Sequence, residues 1–213
     1  MENIKLVCFD VDGTLVDGTA WLLLTEALGC SSEKASNIFN QAREGKISFR
    51  EGERLFAKMF QESGNATREF INDFFESIDV KPDVKNLIFY LKQKGYLIYL
   101  ISGGIDIYVG SIYKKLGVDG FYANSSLEFD KNDILQKINY RENQKRVKLE
   151  QLQDLISKIG IDINQVVFIG DSNNDIDVFK ATKHGIAIST TDEELKKASW
   201  KEISSLSEIK DIL

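Results

Sequence analysis

The sequence predicts an α/β fold in which a doubly wound parallel sheet carries a small all-helical cap domain. Short apolar runs bounded by turn residues alternate with helical patterns along most of the chain, which is typical of parallel strands joined by crossover helices. One long stretch near the start of the chain offers only helical patterns and interrupts this alternation. The 213 residues are enough for one large domain with a smaller appendage.

Four apolar runs are predicted to form buried strands of one sheet. They cover residues 4–9, 96–101, 165–169 and 185–188, and turn residues bound each of them. Residues 121–140 are expected to add short strands or a ribbon.

Three helical patterns lie between these strands. They cover residues 83–94, 106–116 and 146–159, and a glycine follows each pattern closely, as is common where a helix ends. In the first of them four aliphatic side chains share one face. Helices with one apolar face are expected to pack against the sheet.

The stretch of residues 19–77 is the proposed cap. It holds more apolar side chains, from Trp21 to Phe75, than scattered surface helices could bury, so its helices are expected to share a small core. We assign residues 17–79 to the cap domain, and residues 1–16 and 80–213 to the α/β core domain. Two hinges are expected to join them, near residues 15–18 and 78–83.

Composition excludes several classes of protein. Acidic residues outnumber basic ones by 33 to 27, and the formal charge of −6 argues against broad nucleic-acid binding. The sequence has no apolar run near the roughly 20 residues of a membrane-spanning helix, so we expect no membrane partner and a cytoplasmic location. Cys8, Cys30 and the single His184 are too few for most zinc sites, so any metal should be bound by oxygen.

Polar residues follow three of the predicted strands. Asp10 and Asp12, with Gly13, end the first strand; Ser102 and two glycines end the second; and an acidic turn from Asp171 to Asp175 ends the third. Each group alone also fits an ordinary turn or helix cap. Neither acidic stretch has the spacing of a calcium-binding EF-hand, and the chain has no P-loop.

The combination is more informative than any one motif. Parallel strands would bring these groups to one edge of the sheet, where open α/β sheets bind ligands. Asp10, Asp12, Asp171 and Asp175 would repel one another there unless cations lay among them. Four carboxylates and one lysine leave a charge of −3, and Mg²⁺ would reduce it to −1. We therefore expect a Mg²⁺ cofactor and an absolute dependence on it.

The motifs together resemble the haloacid dehalogenase superfamily of phosphohydrolases, and most closely its phosphoserine phosphatase-like members. The resemblance covers residues 4–188 and is carried by the Asp10–Thr14 stretch, by Ser102 with two glycines, by a later lysine and by Gly170–Asp175. It implies a Rossmann-like core of the haloacid dehalogenase type, with a helical cap inserted after the first motif.

The resemblance also implies a role for each residue. Asp10 would be the nucleophile, and Asp12 would protonate the leaving alcohol and then activate water. Mg²⁺ would be held by the Asp10 carboxylate, the Asp12 carbonyl and Asp171, with Asp175 in support.

The remaining roles concern the phosphate and the leaving group. Ser102, Gly103 and Asn174 would bind the phosphoryl oxygens. The family spacing selects Lys148, rather than Lys145, as the catalytic lysine. Arg54 would bind a substrate carboxylate. Thr19, however, stands where the phosphoserine pattern has the acid that binds the substrate ammonium.

The sequence thus predicts a phosphoric monoester hydrolase that acts on a small phosphomonoester through an aspartyl-phosphate, with phosphoserine the leading substrate. A phosphatase for another small metabolite, such as a phosphorylated sugar, amine or cofactor, is the first alternative. A phosphorylation switch similar to response-regulator receivers is the second, and the long cap argues against it because a switch needs no lid over an organic leaving group.

Overall fold

The computed structural model describes residues 3–213 and confirms the predicted fold class. One seven-stranded sheet has the order β4-β3-β2-β1-β5-β6-β7. The strands are β1 Leu6–Phe9, β2 Leu97–Ile105, β3 Gly120–Phe129, β4 Leu135–Tyr140, β5 Val166–Gly170, β6 Gly185–Ile188 and β7 Lys201–Ile203. The helices are α1 Ala20–Ala27, α2 Ser32–Arg43, α3 Phe49–Glu62, α4 Arg68–Ser77, α5 Val84–Gln93, α6 Asp106–Leu116, α7 Gln144–Ile159, α8 Ile176–Thr182 and α9 Glu193–Ala198.

Strand β1 lies at the centre of the sheet and is buried along its whole length. It pairs in parallel with β2 on one side and with β5 on the other, and Phe9 stands opposite both Leu100 and Ile169. Strands β1 and β5 therefore end beside the middle of β2, close to Ser102. The residues that follow them meet at one edge, as the rule for parallel sheets requires.

Strand β2 continues beyond the predicted end at Ile101. The register of its pairing with β3 shifts between Ser102 and Ile105, and this irregularity keeps the two glycines within the strand. The turn expected after Ile101 is therefore wrong, since the backbone stays extended until α6 begins at Asp106.

The predicted ribbon is an antiparallel hairpin of β3 and β4 at one side of the sheet. Its second strand makes the sheet mixed, whereas every other strand pair is parallel. The turn at residues 130–134 is short enough for an antiparallel return, which a parallel strand could not make.

The stretch between β1 and β2 forms the four helices α1 to α4, in line with the prediction of helices without strands. Each begins at a hydroxyl side chain that accepts a hydrogen bond from an amide of the first turn: Thr19, Ser31, Ser48 and Thr67. Such caps satisfy amides that the helix itself leaves without partners.

The helices were expected to share a small core, and the two hinges that would join them to the sheet stay a prediction. Their apolar side chains continue into the core that covers the sheet. The Phe75 ring of α4 lies 5.3 Å from that of Tyr108 in α6. Helix α3 is also bonded to the hairpin, where the Gln61 side-chain amide donates to the Leu135 carbonyl at 2.8 Å. Apolar surface on both segments accounts for the shared core.

Among the helices formed by residues 3–213, none is long and apolar enough to cross a lipid bilayer.

Candidate active site

Asp10 lies at the centre of the site, directly after β1, and is 2% exposed. Its Oδ1 accepts a hydrogen bond from the Val11 amide at 2.7 Å, and its Oδ2 lies 2.8 Å from the Nζ of Lys148. Two partners therefore hold this carboxylate in one orientation.

Lys148 comes from α7 and is fully buried. Its ammonium lies 2.6 Å from Asp175 and donates to the Asn174 side-chain oxygen at 2.7 Å, besides its contact with Asp10. Burial lowers the pKa of this lysine, but Asp10 and Asp175 offset that effect and leave it raised. Lys148 is therefore a permanent cation in the site, whereas Lys145 is half-buried in the wall of the adjoining cavity.

Three carboxylates form a cluster around this ammonium. One oxygen each of Asp10, Asp171 and Asp175 lies within 4.8 Å of the others. Burial raises the pKa of Asp171 to about 6, and the charge of Asp10 adds to the effect. Burial also raises the pKa of Asp175, and Lys148 offsets this only in part. One ammonium is too little charge for three clustered acids, of which two are buried.

A second cation would complete this charge balance. The donor atoms are all oxygens, in a buried cluster of high negative charge, which suits a hard divalent ion such as Mg²⁺ and not a soft metal. The residues present therefore fit the predicted metal.

Asp12 lies two residues further on and is half-buried. Its Oδ1 accepts a hydrogen bond from the Ala20 amide at 3.0 Å, which ties it to the start of α1. Burial raises its pKa to about 7, with a further contribution from the charge of Asp10. The carboxylate of Asp12 is not part of the three-acid cluster. Because its pKa is about 7, Asp12 can gain and lose a proton near neutral pH.

The glycines of the site are required by close approaches. Gly13 has a φ of +70°, and a Cβ there would collide with the Asp171 carboxylate. A Cβ on Gly103 would collide with the side-chain oxygen of Gln144. Ser102 beside it is fully buried, and its Oγ accepts from the Gly104 amide at 3.1 Å.

Arg54 is the one predicted site residue that the structure does not bring to the others. Its guanidinium donates to both carboxylate oxygens of Glu51 at 2.9 and 2.7 Å, and its side chain is 62% exposed. It does not line the cavity beside Asp10. The reason is local, because Glu51 lies one turn earlier on the same helix. This geometry does not support the prediction that Arg54 binds a substrate carboxylate.

Three further residues belong to the site and were not predicted. The Thr14 hydroxyl donates to Asp171 at 3.3 Å; Thr14 is the last residue of the first motif, but no role in the site was predicted for it. Gln144 approaches both Gly103 and Asn174. Burial and the charge of Asp12 raise the pKa of the Tyr108 hydroxyl, which stays neutral near that acid. The helical pattern around Tyr108 gave no sign of this proximity.

A cavity of about 870 Å³ opens beside these groups. Asp10, Asp12, Gly103, Asp171 and Asn174 line one side of it. Side chains of α1, α2, α3 and β4 form the other side, among them Trp21, Phe39, Phe49, Phe56 and Tyr140. A substrate bound at Asp10 would thus lie in this chamber, with its mainly apolar wall opposite.

Comparisons with known proteins agree with this arrangement. The family profile of haloacid dehalogenase-like hydrolases matches residues 4–182. A phosphoserine phosphatase of Methanocaldococcus jannaschii is 32% identical over 188 residues, which cover 86% of this chain and 84% of that protein. The phosphoserine phosphatase of Lactococcus lactis is 30% identical over 182 residues, covering 85% of this chain and 82% of the other.

Solved structures give the same result at the level of the fold and the sequence. One described as a phospho-aspartyl intermediate analogue of phosphoserine phosphatase has a TM-score of 0.77 and 26% identity, with both chains covered completely. A substrate-bound phosphoserine phosphatase complex matches with the same values.

Proposed function

The chain belongs to the haloacid dehalogenase-like hydrolases, and from this membership and its geometry we propose that it hydrolyses small phosphomonoesters through an aspartyl-phosphate on Asp10. It is a phosphoric monoester hydrolase. One observation carries the assignment of the nucleophile: the Asp10 carboxylate is held between the Val11 amide and the Lys148 ammonium at the mouth of the cavity. An orienting amide and a permanent cation suit attack on a charged phosphoryl group.

The chemistry has two halves. In the first, a carboxylate oxygen of Asp10 bonds to phosphorus, the ester bond breaks, and Asp12 gives its proton to the departing alcohol oxygen. In the second, Asp12 takes a proton from water, whose oxygen attacks the same phosphorus and frees Asp10. An acid with a pKa of about 7 can serve both steps near neutral pH.

The phosphoryl oxygens would be bound by the Ser102 hydroxyl, the Gly103 amide, Lys148 and Asn174. Asp10, the Asp12 carbonyl and Asp171 would hold Mg²⁺, with Asp175 positioning Lys148 and supporting the acid cluster. When bound, Mg²⁺ neutralises charge on the phosphoryl oxygens and lowers the repulsion between the phosphate and Asp10.

Magnitudes show why so many groups are needed. Hydrolysis of phosphate monoesters requires accelerations of up to about 10²¹-fold, whereas a general acid supplies roughly 10²- to 10⁴-fold. Most of the remainder is electrostatic stabilisation and positioning, which the buried ammonium and the backbone amides supply.

Phosphoserine is the first candidate substrate, because relatives about 30% identical over most of this chain carry that name. A different small phosphomonoester is the second candidate, and the engagement of Arg54 with Glu51 favours it. We also propose a cytoplasmic location, in keeping with two free cysteines.

The test is Asp10→Asn, assayed for phosphate release from phosphoserine and from other esters with Mg²⁺ present. We expect no release above background from a variant that keeps the circular dichroism spectrum of the wild type. Turnover by the variant would contradict the assignment of Asp10. A stable phosphoenzyme in the wild type without turnover would instead indicate a phosphorylation switch.

A further inference from the structure

The chamber beside Asp10 has an aromatic and aliphatic wall that a serine leaving group would not need. We infer that the site accepts a second class of substrate, phosphomonoesters whose alcohol carries an aromatic or alkyl group, and that this wall binds that group. The inference rests on the proposed phosphatase function and concerns only the part of the substrate that departs.

The wall contains two pairs of packed aromatic rings. The centroids of Trp21 and Phe56 lie 5.8 Å apart, and Phe49 stacks on Tyr140 at 5.7 Å with an interplanar angle of 11°. Ring pairs of this kind fix one another in place. The wall is therefore preformed, because its rings pack on each other without a ligand.

Part of this wall is open to the cavity and to solvent. Leu22 is 40% exposed and Phe39 is 44% exposed, and both line the cavity. When an apolar ligand covers apolar side chains that are in contact with water, the removal of this surface from water favours binding. These two residues supply a surface that an alkyl or aromatic group can bury.

Most of the charged and polar side chains that could bind the amino and carboxylate groups of an amino acid already have partners within the protein. Thr19 caps α1, Arg54 is paired with Glu51, and the Glu53 carboxylate accepts the Tyr140 amide at 2.6 Å. Two cations remain in the lining: Arg43 at the exposed end of α2 and Lys145 on α7. The centre of the chamber wall therefore recognises shape and apolar surface more than charge.

The size of the chamber agrees with this class. Its volume of about 870 Å³ lies in the upper part of the range of roughly 300–1,000 Å³ that is typical for sites of drug-sized ligands. The serine part of phosphoserine would occupy only a fraction of such a space. An alcohol with a six-carbon chain or a phenyl ring would fill more of it.

The experiment measures kcat/KM for ethyl, butyl, hexyl and 2-phenylethyl phosphate, with phosphoserine alongside, all with Mg²⁺ present. These are esters of primary alcohols with similar leaving ability, so differences in rate report binding of the alcohol and not its chemistry. We expect kcat/KM to rise about threefold for each methylene that enters the wall. A flat series, in an enzyme that hydrolyses all members, would overturn the inference.

Variants locate the effect. Phe39→Ser and Leu22→Ser should each lower the hexyl-to-ethyl ratio of kcat/KM by about tenfold. Both residues are partly exposed, so the substitutions should leave the core intact. Phe89→Ser is the matched control, since Phe89 is 66% exposed on α5, away from the cavity, and should leave the ratio unchanged.

Two outcomes separate this inference from the proposed function. Absence of hydrolysis with every ester would contradict the phosphatase itself. Hydrolysis with an unchanged ratio in both wall variants would contradict only the apolar wall. A selective loss on phosphoserine in Arg43→Gln, together with a flat alkyl series, would assign the chamber to carboxylate recognition instead.

Discussion

At the scale of single residues, the site is organised around Lys148. This ammonium is fully buried and contacts Asp10 and Asp175 at 2.8 and 2.6 Å. Removing one partner of a buried ion pair leaves uncompensated charge, and it typically costs about 3–5 kcal/mol. The same ammonium is expected to stabilise the phosphoryl group, so stability and catalysis depend on one side chain.

Lys148→Met is therefore expected to lower kcat by about 10²- to 10³-fold and to lower the thermal midpoint of the metal-free protein. Lys145→Met is the matched control, since it removes a cation from the same helix outside the acid cluster. Steady-state kinetics and thermal denaturation check both. Equal losses in the two variants would contradict the assignment of Lys148.

The orientation of the Arg54 side chain could not be predicted from the sequence. The positions of Asp10, Ser102 and Asp171 could be predicted because each lies at or near the carboxyl end of a predicted strand. The orientation of Arg54 depends on competition between Glu51 and a substrate that the sequence does not describe. Pairs three residues apart on a helix are common, and here the pair holds a guanidinium that does not line the cavity.

We expect Arg54→Ala to change kcat/KM for phosphoserine by less than about twofold, because Arg54 does not line the cavity and is held by Glu51. Parallel assays with ethyl phosphate provide the reference for a general loss of activity. A drop confined to phosphoserine would restore the sequence-based expectation that Arg54 binds the substrate carboxylate.

At the scale of elements, the two connections between the helical segment and the sheet are bonded to each other. Lys81 lies in the second connection, and its Nζ donates to the Gly13 carbonyl in the first at 2.5 Å. The backbone repeats the link, since the Lys81 amide donates to the Leu15 carbonyl at 2.9 Å. The two connections are thus fastened to each other and to the loop that carries Asp12.

Lys81→Met should loosen this loop and raise KM more than it lowers kcat, with a loss of about 1.5–3 kcal/mol in the free energy of unfolding. Lys85→Met, an exposed lysine four residues later, is the control and should behave as the wild type. Denaturant titration and kinetics provide the measurements. A Lys81 variant that matches the control in both would show that the link is dispensable.

Element prediction succeeded where periodicity and caps are local. Strands β1, β2, β5 and β6 and the three core helices were predicted to within a few residues, and helix α6 was predicted at both ends. Strand β7 and helix α9 were not predicted. The continuation of β2 through two glycines was missed, because its cause is pairing with β3. The contact between the hairpin and α3 and α4 was missed for the same reason, since it joins segments far apart in sequence. Domain bounds at residues 16 and 80 stay a prediction.

At the scale of the whole molecule, the acid cluster links stability to pH and metal. Burial raises the pKa of Asp12 to about 7, that of Asp171 to about 6, and that of Asp175 as well. Between about pH 4 and pH 7 the metal-free native state therefore holds protons that the unfolded chain has lost. These groups make the metal-free protein less stable as pH rises through that window.

We expect Mg²⁺ to reverse this loss by binding the ionised acids of the native state. The gain in thermal midpoint on replacing EDTA with Mg²⁺ should be small at pH 5 and larger at pH 8. Calorimetry at several pH values measures it. A gain that is constant with pH, or largest at low pH, would contradict the proposed ligands.

The convergence of the site was predictable at this scale because one rule governs parallel sheets. Strands β1, β2 and β5 are neighbours, so the residues after β1 and β5 and the second half of β2 lie together whatever their separation in the chain. The shape of the chamber was not predictable, since it depends on how α1 to α3 and β4 pack around it. For that reason the chemistry could be predicted from the sequence more fully than the leaving group.

The most direct test of the account is to look for the phosphoenzyme itself. Asp12→Asn keeps the nucleophile but removes the group that activates water, so phosphate transferred to Asp10 should persist. With p-nitrophenyl phosphate, whose leaving group needs little protonation, we expect one nitrophenolate released per chain and one phosphoryl group on the peptide that contains Asp10, found by mass spectrometry after acid quenching. Release of nitrophenolate without phosphate on that peptide, or phosphate on another residue, would contradict the account.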